Sequence, residues 1–425
     1  MRVGCLGNMN NMFFALVRHL RDRGVDAHLV MQPDELAHFH PSHDSFDLGY
    51  QAFTTQARWR GPFLDVPPEA IAKDLEPYDF LVVTGILLAY VERAGRVADV
   101  FFPHGSDLFK WPFVPDTMRW DQRLRSRSVV AMFRAQRAGI RHAFVINQED
   151  RNPFWRRALE RHDALDRTVY FGTPMVYGPP FLGPRAADAR SRSAWFREFA
   201  AIRERSGLMV INHARQQWRT TADCPSKGSD RLIRGFADFA KRHPAVHAAL
   251  VLFEYGDDVI DSRELVDSLG ILESVHWMPL MSRKEILLGL SLADFGCGEF
   301  HEGCIGGGTT WEVLALGKPL LHYVDQANVN FDSFTGAYPV VSVKGPSEIA
   351  AVFEDFSRRP EHYRAIGEGG KAWYEENFVN RSVDTYIELI RAKERGEDLL
   401  VTAKNFTRRD HGAEPSLLDS TGPTP

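Results

Sequence analysis

The feature that most constrains this chain is the alternation of short apolar runs with longer helix-like segments. Such alternation is typical of parallel sheets covered by helices. In the first half, strands are predicted at residues 2–6, 25–31, 80–84, 100–103 and 143–147, with residues 168–171 as a further candidate. The glycine-bounded helix predicted between the first two strands supports one doubly wound α/β domain there.

The alternation is interrupted by a turn-rich segment and then resumes. Residues 178–184 read GPPFLGP and precede a segment rich in Ala, Arg and Ser, which is the composition of a linker. Beyond it, apolar strand segments are predicted at 208–212, 248–253, 274–277, 293–296 and 319–324. Because 425 residues exceed what one core usually supports, a second doubly wound domain is expected.

These patterns divide the chain into four parts. We expect an N-terminal domain over residues 1–180, a C-terminal domain over 195–375 and a C-terminal helix over 376–399. Residues 400–425 are polar, contain Pro and Gly and show no apolar periodicity, so a disordered tail is expected.

Charge and cysteine content narrow the class of function. The formal net charge of −5 attracts no nucleic acid globally. The four cysteines form no CxxC pair, which disfavours a zinc knuckle or a disulfide framework. The N-terminus lacks the features of a signal peptide, and the apolar run at 80–91 is too short to span a membrane. We expect a cytoplasmic protein without a bound metal.

A run of glycines before a predicted helix is the strongest functional signal. Residues 306–312 read GGGTTWE. Glycines at a helix start let backbone N–H groups approach a phosphate, and the helix N-terminus adds partial positive charge. A diphosphate is expected there, with Glu312 in the first turn placed to accept hydrogen bonds from a ribose. The alternative is a tight turn with Glu312 stabilising the helix. The residues expected to hold the donor are Gly307, Gly308, Thr309, Thr310 and Glu312.

The residues before this segment resemble a known family. Residues 227–236, KGSDRLIRGF, resemble the KG-x-D-x-L-I-x-A-F segment of GT4-type glycosyltransferases. Residues 265–294 are similar to that family's LG-x-x-x-x-V-x-F-x-G segment and the helix after it. The resemblance covers most of 208–324 and implies a GT-B fold, with two Rossmann-like doubly wound domains facing across a cleft. It implies that the N-terminal domain binds the acceptor and the C-terminal domain the nucleotide-sugar.

The resemblance also implies roles for residues of the second half. The donor would be a UDP- or GDP-linked sugar, with no other cofactor. Lys227 would contact the donor phosphates, and its compact charge suits that role. The family's arginine is replaced by Ala222, which leaves Arg215 and Arg219 as alternatives for the diphosphate. The nucleobase pocket would be lined by Trp277, Met278 and Pro279.

Two departures leave the stereochemistry open. GT4 enzymes carry two glutamates separated by seven residues, whereas the upstream candidate Glu302 leaves residues 303–311 before Glu312, and Glu299 lies further away. The GGGTTWE segment is also similar to the GG-x-G-T-x-x-E pattern of GT1 and MurG-like transferases, most of which invert the anomeric centre. We favour retention, with Glu302 as a candidate catalytic residue.

The N-terminal half carries its own candidates. Residues 102–108, FPHGSDL, resemble the HGSD that follows a central strand in GT4 enzymes. At the carboxyl end of a parallel strand, His104 would face the ligand crevice, and Asp107 could orient it or accept from the acceptor. The structural alternatives are a satisfied loop histidine and a helix cap. In the first turn, Asn10 or Asn11 could contact the diphosphate or the acceptor.

Residues 119–141 carry seven arginines interleaved with apolar residues. A basic amphipathic helix can lie on anionic lipid, which would suit a lipid-linked acceptor and peripheral contact with the cytoplasmic face of a membrane. The alternative is a solvated face. No metal motif is seen, since His38, His40 and His43 are irregularly spaced around Pro41.

The sequence thus predicts a glycosyltransferase of polysaccharide or glycolipid biosynthesis, acting on a saccharide or lipid-linked acceptor. A GT-B epimerase or phosphorylase, or a non-catalytic sugar-nucleotide-binding partner, are the alternatives. The base, the sugar, the acceptor and the oligomeric state stay open.

Overall fold

Two six-stranded, wholly parallel sheets form the framework of the protein. The computed structural model describes residues 1–219, 226–304, 306–325, 334 and 336–409. The first sheet contains β1 (Arg2–Leu6), β2 (Asp26–Met31), β3 (Thr54–Gln56), β4 (Phe80–Thr84), β5 (Val100–Phe102) and β6 (Val145–Ile146), in the order β3-β2-β1-β4-β5-β6.

Eight helices lie among or after these strands. They are α1 (Met12–Asp22), α2 (Pro68–Leu75), α3 (Leu87–Arg93), α4 (Ser106–Phe109), α5 (Val114–Thr117), α6 (Trp120–Arg125), α7 (Arg127–His142) and α8 (Pro153–Glu160). Helices α9 (Ala186–Arg192) and α10 (Phe196–Arg205) lead into the second sheet.

The second sheet repeats the topology of the first. Its strands are β7 (Leu208–Asn212), β8 (Ala248–Phe253), β9 (Val275–Met278), β10 (Phe295–Cys297), β11 (Leu320–His322) and β12 (Val341–Ser342), in the order β12-β11-β10-β7-β8-β9. Its helices are α11 (Ser229–Arg242), α12 (Val259–Ser268), α13 (Arg283–Leu292), α14 (Gly308–Ala315), α15 (Pro346–Arg358) and α16 (Pro360–Tyr374). A π-helical turn, Glu375–Asn380, leads into α17 (Arg381–Arg395) and then α18 (Leu399–Arg409).

The central strands are apolar at nearly every position because both sheet faces are covered. Successive side chains of a strand point to opposite faces. In β7, Leu208 and Val210 pack into one buried cluster, whereas Met209 and Ile211 pack into another. This continuous burial produces the unbroken apolar runs of the sequence.

The C-terminal helices return to the first domain. The Tyr386 hydroxyl on α17 hydrogen-bonds Thr173 at 3.1 Å, and the Lys393 ammonium lies 2.6 Å from the buried Asp99 carboxylate. One apolar cluster also runs from Val3 through Phe171 to Ile211. The two sheets are therefore joined by the linker, by α17 and by a shared core.

The structure corrects the prediction of a tail from residue 400. Helix α18 occupies Leu399–Arg409, and its residues Leu399 and Ala403 are buried. Their four-residue spacing is enough to anchor one helical face, although the segment is too polar to show a longer period. Residues 410–425 lie outside the described residues.

Two further differences concern short strands. Strand β3 was not predicted, because its three residues Thr54–Gln56 are polar and mostly exposed at the sheet edge. The candidate strand at 168–171 contributes one isolated bridge, from Thr168 to Ile146.

Candidate functional site

The carboxyl ends of the two sheets meet at a buried ionic contact. Asp44 lies in the loop after β2, Arg283 begins α13 after β9, and Glu312 lies on α14 after β10. The Arg283 Nε atom lies 2.7 Å from Glu312 Oε1, and its Nη1 lies 3.5 Å from Asp44 Oδ1. The edges at which α/β proteins bind ligands therefore face each other.

The start of α14 offers an open backbone to this crevice. Gly306 has φ +127°, and a Cβ there would stand 2.4 Å from Thr310 Oγ1. A Cβ on Gly307 would meet nothing within 4 Å, and one on Gly308 only Met175 Cε at 3.9 Å. Space thus remains where the sequence predicted a diphosphate beside Gly307, Gly308 and the partly buried Thr309.

Several buried polar atoms near this helix start and its neighbouring loops have no partner within the described part of the chain. Buried polar groups normally have a hydrogen-bond partner, so such atoms point to a bound ligand or water. Those belonging to the second domain's carboxyl edge are His213 Nδ1, Gln216 Nε2, Ser229 Oγ and Thr310 Oγ1.

Lys227 immediately precedes α11 and is paired with Glu299. Both side chains are largely buried, at 19% and 13% exposure. The loop that carries Glu299 is held by His322, whose Nδ1 accepts from the Glu299 N–H at 2.8 Å. The His322 Nε2 lies 2.6 Å from the Cys304 carbonyl oxygen, which fixes the neutral tautomer with the proton on Nε2. Burial lowers the pKa of His322, in keeping with this neutral form.

The two candidate arginines differ in their partners. The Arg219 guanidinium forms an ion pair with Asp261 on α12. Arg215 is exposed and has no ion pair among the residues that the structure describes. Of the two, Arg215 keeps its charge available for a diphosphate.

The three residues predicted to line the nucleobase pocket also differ, in this case in their exposure. The Met278 side chain is buried in the core at 3% exposure. Trp277 is partly exposed, and the Arg263 guanidinium lies 4.5 Å from the centre of its ring. Pro279 is partly exposed after the end of β9. Trp277 and Pro279 thus present surface near the carboxyl edge, whereas Met278 offers only backbone.

Glu312 is buried and bonded through both carboxylate oxygens. Its Oε2 lies 2.7 Å from His213 Nε2, and its Oε1 accepts from Arg283. Burial alone would raise the pKa of Glu312, but Arg283 and His213 outweigh it and hold the pKa below its usual value. The carboxylate is therefore ionised at neutral pH and can accept further hydrogen bonds.

His104 stands at the carboxyl end of β5 as a neutral imidazole. The Thr84 hydroxyl donates to the Phe102 carbonyl at 2.6 Å and also contacts His104 Nε2. Because the single hydroxyl proton is used, Nε2 must donate to Thr84, which leaves Nδ1 as an acceptor. Burial lowers the pKa of His104 to about 3. Its Nδ1 is thus arranged to accept a hydrogen bond while the ring stays neutral.

The Asp107 carboxylate is used by its own loop. It accepts from the Gly105 N–H at 2.7 Å and from the His104 N–H at 3.0 Å. Burial raises the pKa of Asp107 to about 6. The structure thus favours the capping role for Asp107, which holds the backbone under His104.

The first turn is built from asparagines in left-handed conformations. Asn10 and Asn11 have φ of 51° and 55°, which non-glycine residues adopt rarely. Asn11 is buried, accepts from Asn8 Nδ2 at 2.9 Å and donates to the His38 carbonyl at 3.1 Å. Asn10 is exposed. Only Asn10 keeps its side chain free to meet a ligand.

Comparison with known proteins yields structures but no sequence match. No family model and no curated protein matches this chain. The structure of Anabaena Alr3699/HepE in complex with UDP matches with a TM-score of 0.56 at 13% identity, covering 92% of this chain and 100% of that one. UDP-GlcNAc 2-epimerase from Neisseria meningitidis bound to UDP-GlcNAc matches with a TM-score of 0.54 at 12% identity, over 92% and 100% of the chains. The chain has the GT-B fold.

Within this GT-B framework, sequence reasoning missed three residues. Glu299, rather than Glu302, pairs with Lys227, while Glu302 is exposed and contacts His301 at 2.9 Å. The signal for Glu299 was its position three residues after the apolar run at 293–296. His322 lies within the strand predicted at 319–324, where a polar residue in an apolar run could have marked it. Arg283 has no comparable local signal, because its partners lie far away in sequence.

The arginine-rich segment forms two helices, α6 and α7. Arg137 is held by Asp116 at 3.0 Å. Two large apolar side chains one turn apart are exposed, Trp120 at 76% and Leu124 at 50%. The exposed arginines of this segment without an ion pair among the described residues are Arg125, Arg127, Arg134 and Arg141.

Two features are absent from the described part of the chain. No helix there is long and apolar enough to cross a membrane. No group of three or more His, Cys, Asp or Glu side chains there is arranged to hold a metal ion.

Proposed function

We propose that this protein is a glycosyltransferase that moves a sugar from a nucleotide diphosphate donor to an acceptor in the crevice between its domains. The observation that carries the proposal is the start of α14. There a side chain on Gly307 would meet nothing within 4 Å, and the buried Thr310 hydroxyl has no hydrogen-bond partner among the residues that the structure describes. A helix N-terminus of this kind favours a phosphate.

The positive charges around this helix start suit the leaving diphosphate. Lys227 and Arg215 lie in loops at the carboxyl edge of the second sheet. Charged donors and helix dipoles stabilise the negative charge that develops as the sugar departs. Transfer therefore needs no metal, and turnover should persist in excess chelator. A loss of turnover that magnesium or manganese restores would contradict this part of the proposal.

Uridine is the base we propose for the donor. HepE is known in complex with UDP-glucose as well as with UDP, and the Neisseria epimerase with UDP-GlcNAc. The base would lie near Trp277 and Pro279, with its ribose hydroxyls donating to Glu312. A thermal-shift panel of UDP, GDP, ADP and CDP tests this, since a ligand at a hundred times its Kd stabilises by about 2.7 kcal/mol. Stabilisation by GDP alone would overturn the base assignment.

The acceptor side of the reaction is assigned to the first domain. His104 Nδ1 would hydrogen-bond the acceptor or the transferring sugar at the carboxyl end of β5. We favour a retaining reaction in which the leaving phosphate accepts the acceptor's proton on the same face. Analysis of the anomeric configuration of the product distinguishes retention from inversion.

An epimerase is the competing function, because the Neisseria epimerase shares the fold over 92% of this chain. The alternative functions differ in the co-substrate that the reaction requires. A transferase releases UDP only with an acceptor, an epimerase inverts a sugar carbon without one, and a phosphorylase requires inorganic phosphate. A non-catalytic binding partner would bind UDP-sugar and convert nothing.

We further propose that the acceptor is a lipid-linked saccharide of a cell-surface glycan or glycolipid. Exposed Trp120 and Leu124 with Arg125, Arg127 and Arg134 form a surface suited to anionic lipid. Co-sedimentation with vesicles that contain phosphatidylglycerol should be lost in Trp120→Ser/Leu124→Ser. Equal sedimentation with neutral phosphatidylcholine vesicles, or of the variant, would contradict this docking surface.

A further inference from the structure

A chain of buried charges crosses from the first domain to the predicted ribose carboxylate. Arg18 on α1 is paired with Asp44, which faces Arg283 at 3.5 Å; Arg283 binds Glu312 at 2.7 Å, and Glu312 contacts His213. The side chains of all five are at most 12% exposed. Two arginines and two carboxylates balance one another where their side chains are largely buried.

Arg283 is the member of this chain that touches both domains and the linker. Besides the two carboxylates, its Nη1 donates to the Met175 carbonyl at 2.9 Å. Met175 lies in the connection between the domains, where the Tyr374 hydroxyl accepts its N–H at 3.1 Å. The guanidinium is therefore fixed from three directions by groups that are distant in sequence.

We propose that Arg283 is a positioning residue of the nucleotide-sugar site, which orients the Glu312 carboxylate for the donor's ribose and ties it to Asp44 of the first domain. This inference rests on the proposed function. Arg283 itself reaches the ribose only through Glu312.

Glu312 keeps unused lone pairs while its carboxylate is held. Each carboxylate oxygen has two lone-pair sites. Arg283 uses one site on Oε1 and His213 one site on Oε2, so each oxygen keeps one site for a ribose hydroxyl. The orientation of the carboxylate is thus fixed before the donor arrives, which reduces the entropy lost on binding.

Arg283 also decides whether Glu312 stays ionised. The groups that face Glu312 are Arg283 from α13, His213 from the loop after β7 and Tyr374 from α16, with Asp44 behind Arg283. Among these groups, Arg283 is the one whose side chain is always positively charged. Without it, burial would raise the pKa of Glu312, and a protonated carboxyl has one acceptor fewer for the ribose.

The test measures the affinity for UDP-glucose by calorimetry between pH 5 and pH 8. UDP-glucose is chosen because its diphosphate, esterified at both ends, does not titrate in this range. Relative to the wild-type protein, Arg283→Gln should lose about tenfold more affinity at pH 5 than at pH 8, since each unit by which a pKa exceeds the pH lowers the ionised fraction tenfold. Arg283→Lys should restore the wild-type pH profile.

Two controls separate this effect from general damage. Asp44→Asn disturbs the same chain of charges but leaves the Arg283–Glu312 pair, so its pH profile should match the wild type. Arg203→Gln breaks the Arg203–Asp294 pair elsewhere in the second domain and should lower the melting temperature without changing the profile.

A double-mutant cycle decides whether Arg283 acts through Glu312. In a Glu312→Gln background, Arg283→Gln should not weaken UDP-glucose binding further. If Arg283→Gln alone does not fold, the same cycle is run with Arg283→Lys, which keeps the charge. Additive losses, or a folded Arg283→Gln with the wild-type pH profile, would overturn the inference.

A readout without ligand distinguishes failure of the inference from failure of the proposed function. A raised pKa of Glu312 in Arg283→Gln makes its ionised form unfavourable in the folded state, and this penalty is relieved as pH falls. The deficit in melting temperature relative to the wild type should therefore shrink from pH 8 to pH 5. Absence of UDP-glucose binding by the wild type would refute the proposed donor, while a constant deficit would refute the Arg283–Glu312 linkage.

Discussion

At the scale of single residues, the site depends on protonation states that burial and partners impose. Thr84 determines which nitrogen of His104 carries the proton, and burial keeps that imidazole neutral. Arg283 and His213 keep Glu312 ionised. The first domain thus carries a neutral hydrogen-bond acceptor at His104, and the second an anionic one at Glu312.

The role of His104 predicts a separation of binding from catalysis. His104→Ala should leave the affinity for UDP-glucose nearly intact while kcat falls by about 10² or more, because the lost interaction belongs to the transition state. Since the pKa of His104 is lowered to about 3, its titration should cause no fall in kcat between pH 7 and pH 5. Calorimetry and steady-state kinetics check both statements.

The exposed His362 provides the matched control, because His362→Ala should change neither quantity. Melting curves recorded beside the kinetics identify a structural effect, which would lower both affinity and turnover. Near-normal kcat in a well-folded His104→Ala would remove His104 from the reaction.

At the scale of elements, the start of α14 combines two glycines with different tasks. Gly306 has a positive φ and packs against Thr310, so its task is structural. Gly307 has φ of −134°, which any residue adopts, and open space beside it. Its lack of a side chain matters only if something else occupies that space.

Substitutions at these two glycines should therefore differ in their effects on the melting temperature and on UDP binding. Gly307→Ala should retain the wild-type melting temperature yet weaken UDP binding, because the methyl group would stand where the diphosphate approaches the backbone. Gly306→Ala should lower the melting temperature by strain and crowding. Thermal unfolding and calorimetry distinguish the two, and unchanged UDP affinity in Gly307→Ala would place the diphosphate elsewhere.

The elements also show how far the sequence could be interpreted. Strands β1, β4, β7 and β8 were predictable because burial on both faces makes them continuously apolar. The edge strand β3 was not, since its residues Thr54–Gln56 are polar. Lys227 and Glu312 were predictable from local motifs. Arg283 and Asp44 were not, because their importance comes from a contact between residues 239 positions apart, which only the tertiary structure brings together.

At the scale of the whole molecule, buried neutral histidines should make stability depend on pH. Burial lowers the pKa of His19 and His162 to about 4. In the unfolded chain these histidines become protonated near pH 6.5, whereas in the folded protein they do so only near pH 4. Their contribution to the free energy of unfolding is therefore fully present above pH 6.5 and is lost as the pH drops from there towards 4. Each histidine contributes up to about 1.4 kcal/mol per pH unit over that range.

We therefore expect the melting temperature to fall between pH 7 and pH 5. In His162→Gln that fall should be smaller, even though the variant loses the 2.8 Å hydrogen bond to the Leu108 carbonyl. His362→Gln should show the same fall as the wild type. An identical fall in His162→Gln would show that His162 does not titrate as its burial predicts.

The central claim concerns the whole molecule, since the donor is assigned to one domain and the acceptor to the other. It is tested most directly by incubating the protein with UDP-glucose, with and without a panel of saccharide and lipid-linked acceptors, and measuring both UDP release and the glycosylated product. UDP should appear only with an acceptor and in equal amount to the product, and His104→Ala should reduce both. Conversion of UDP-glucose to an epimer without acceptor, or binding without any conversion, would contradict it.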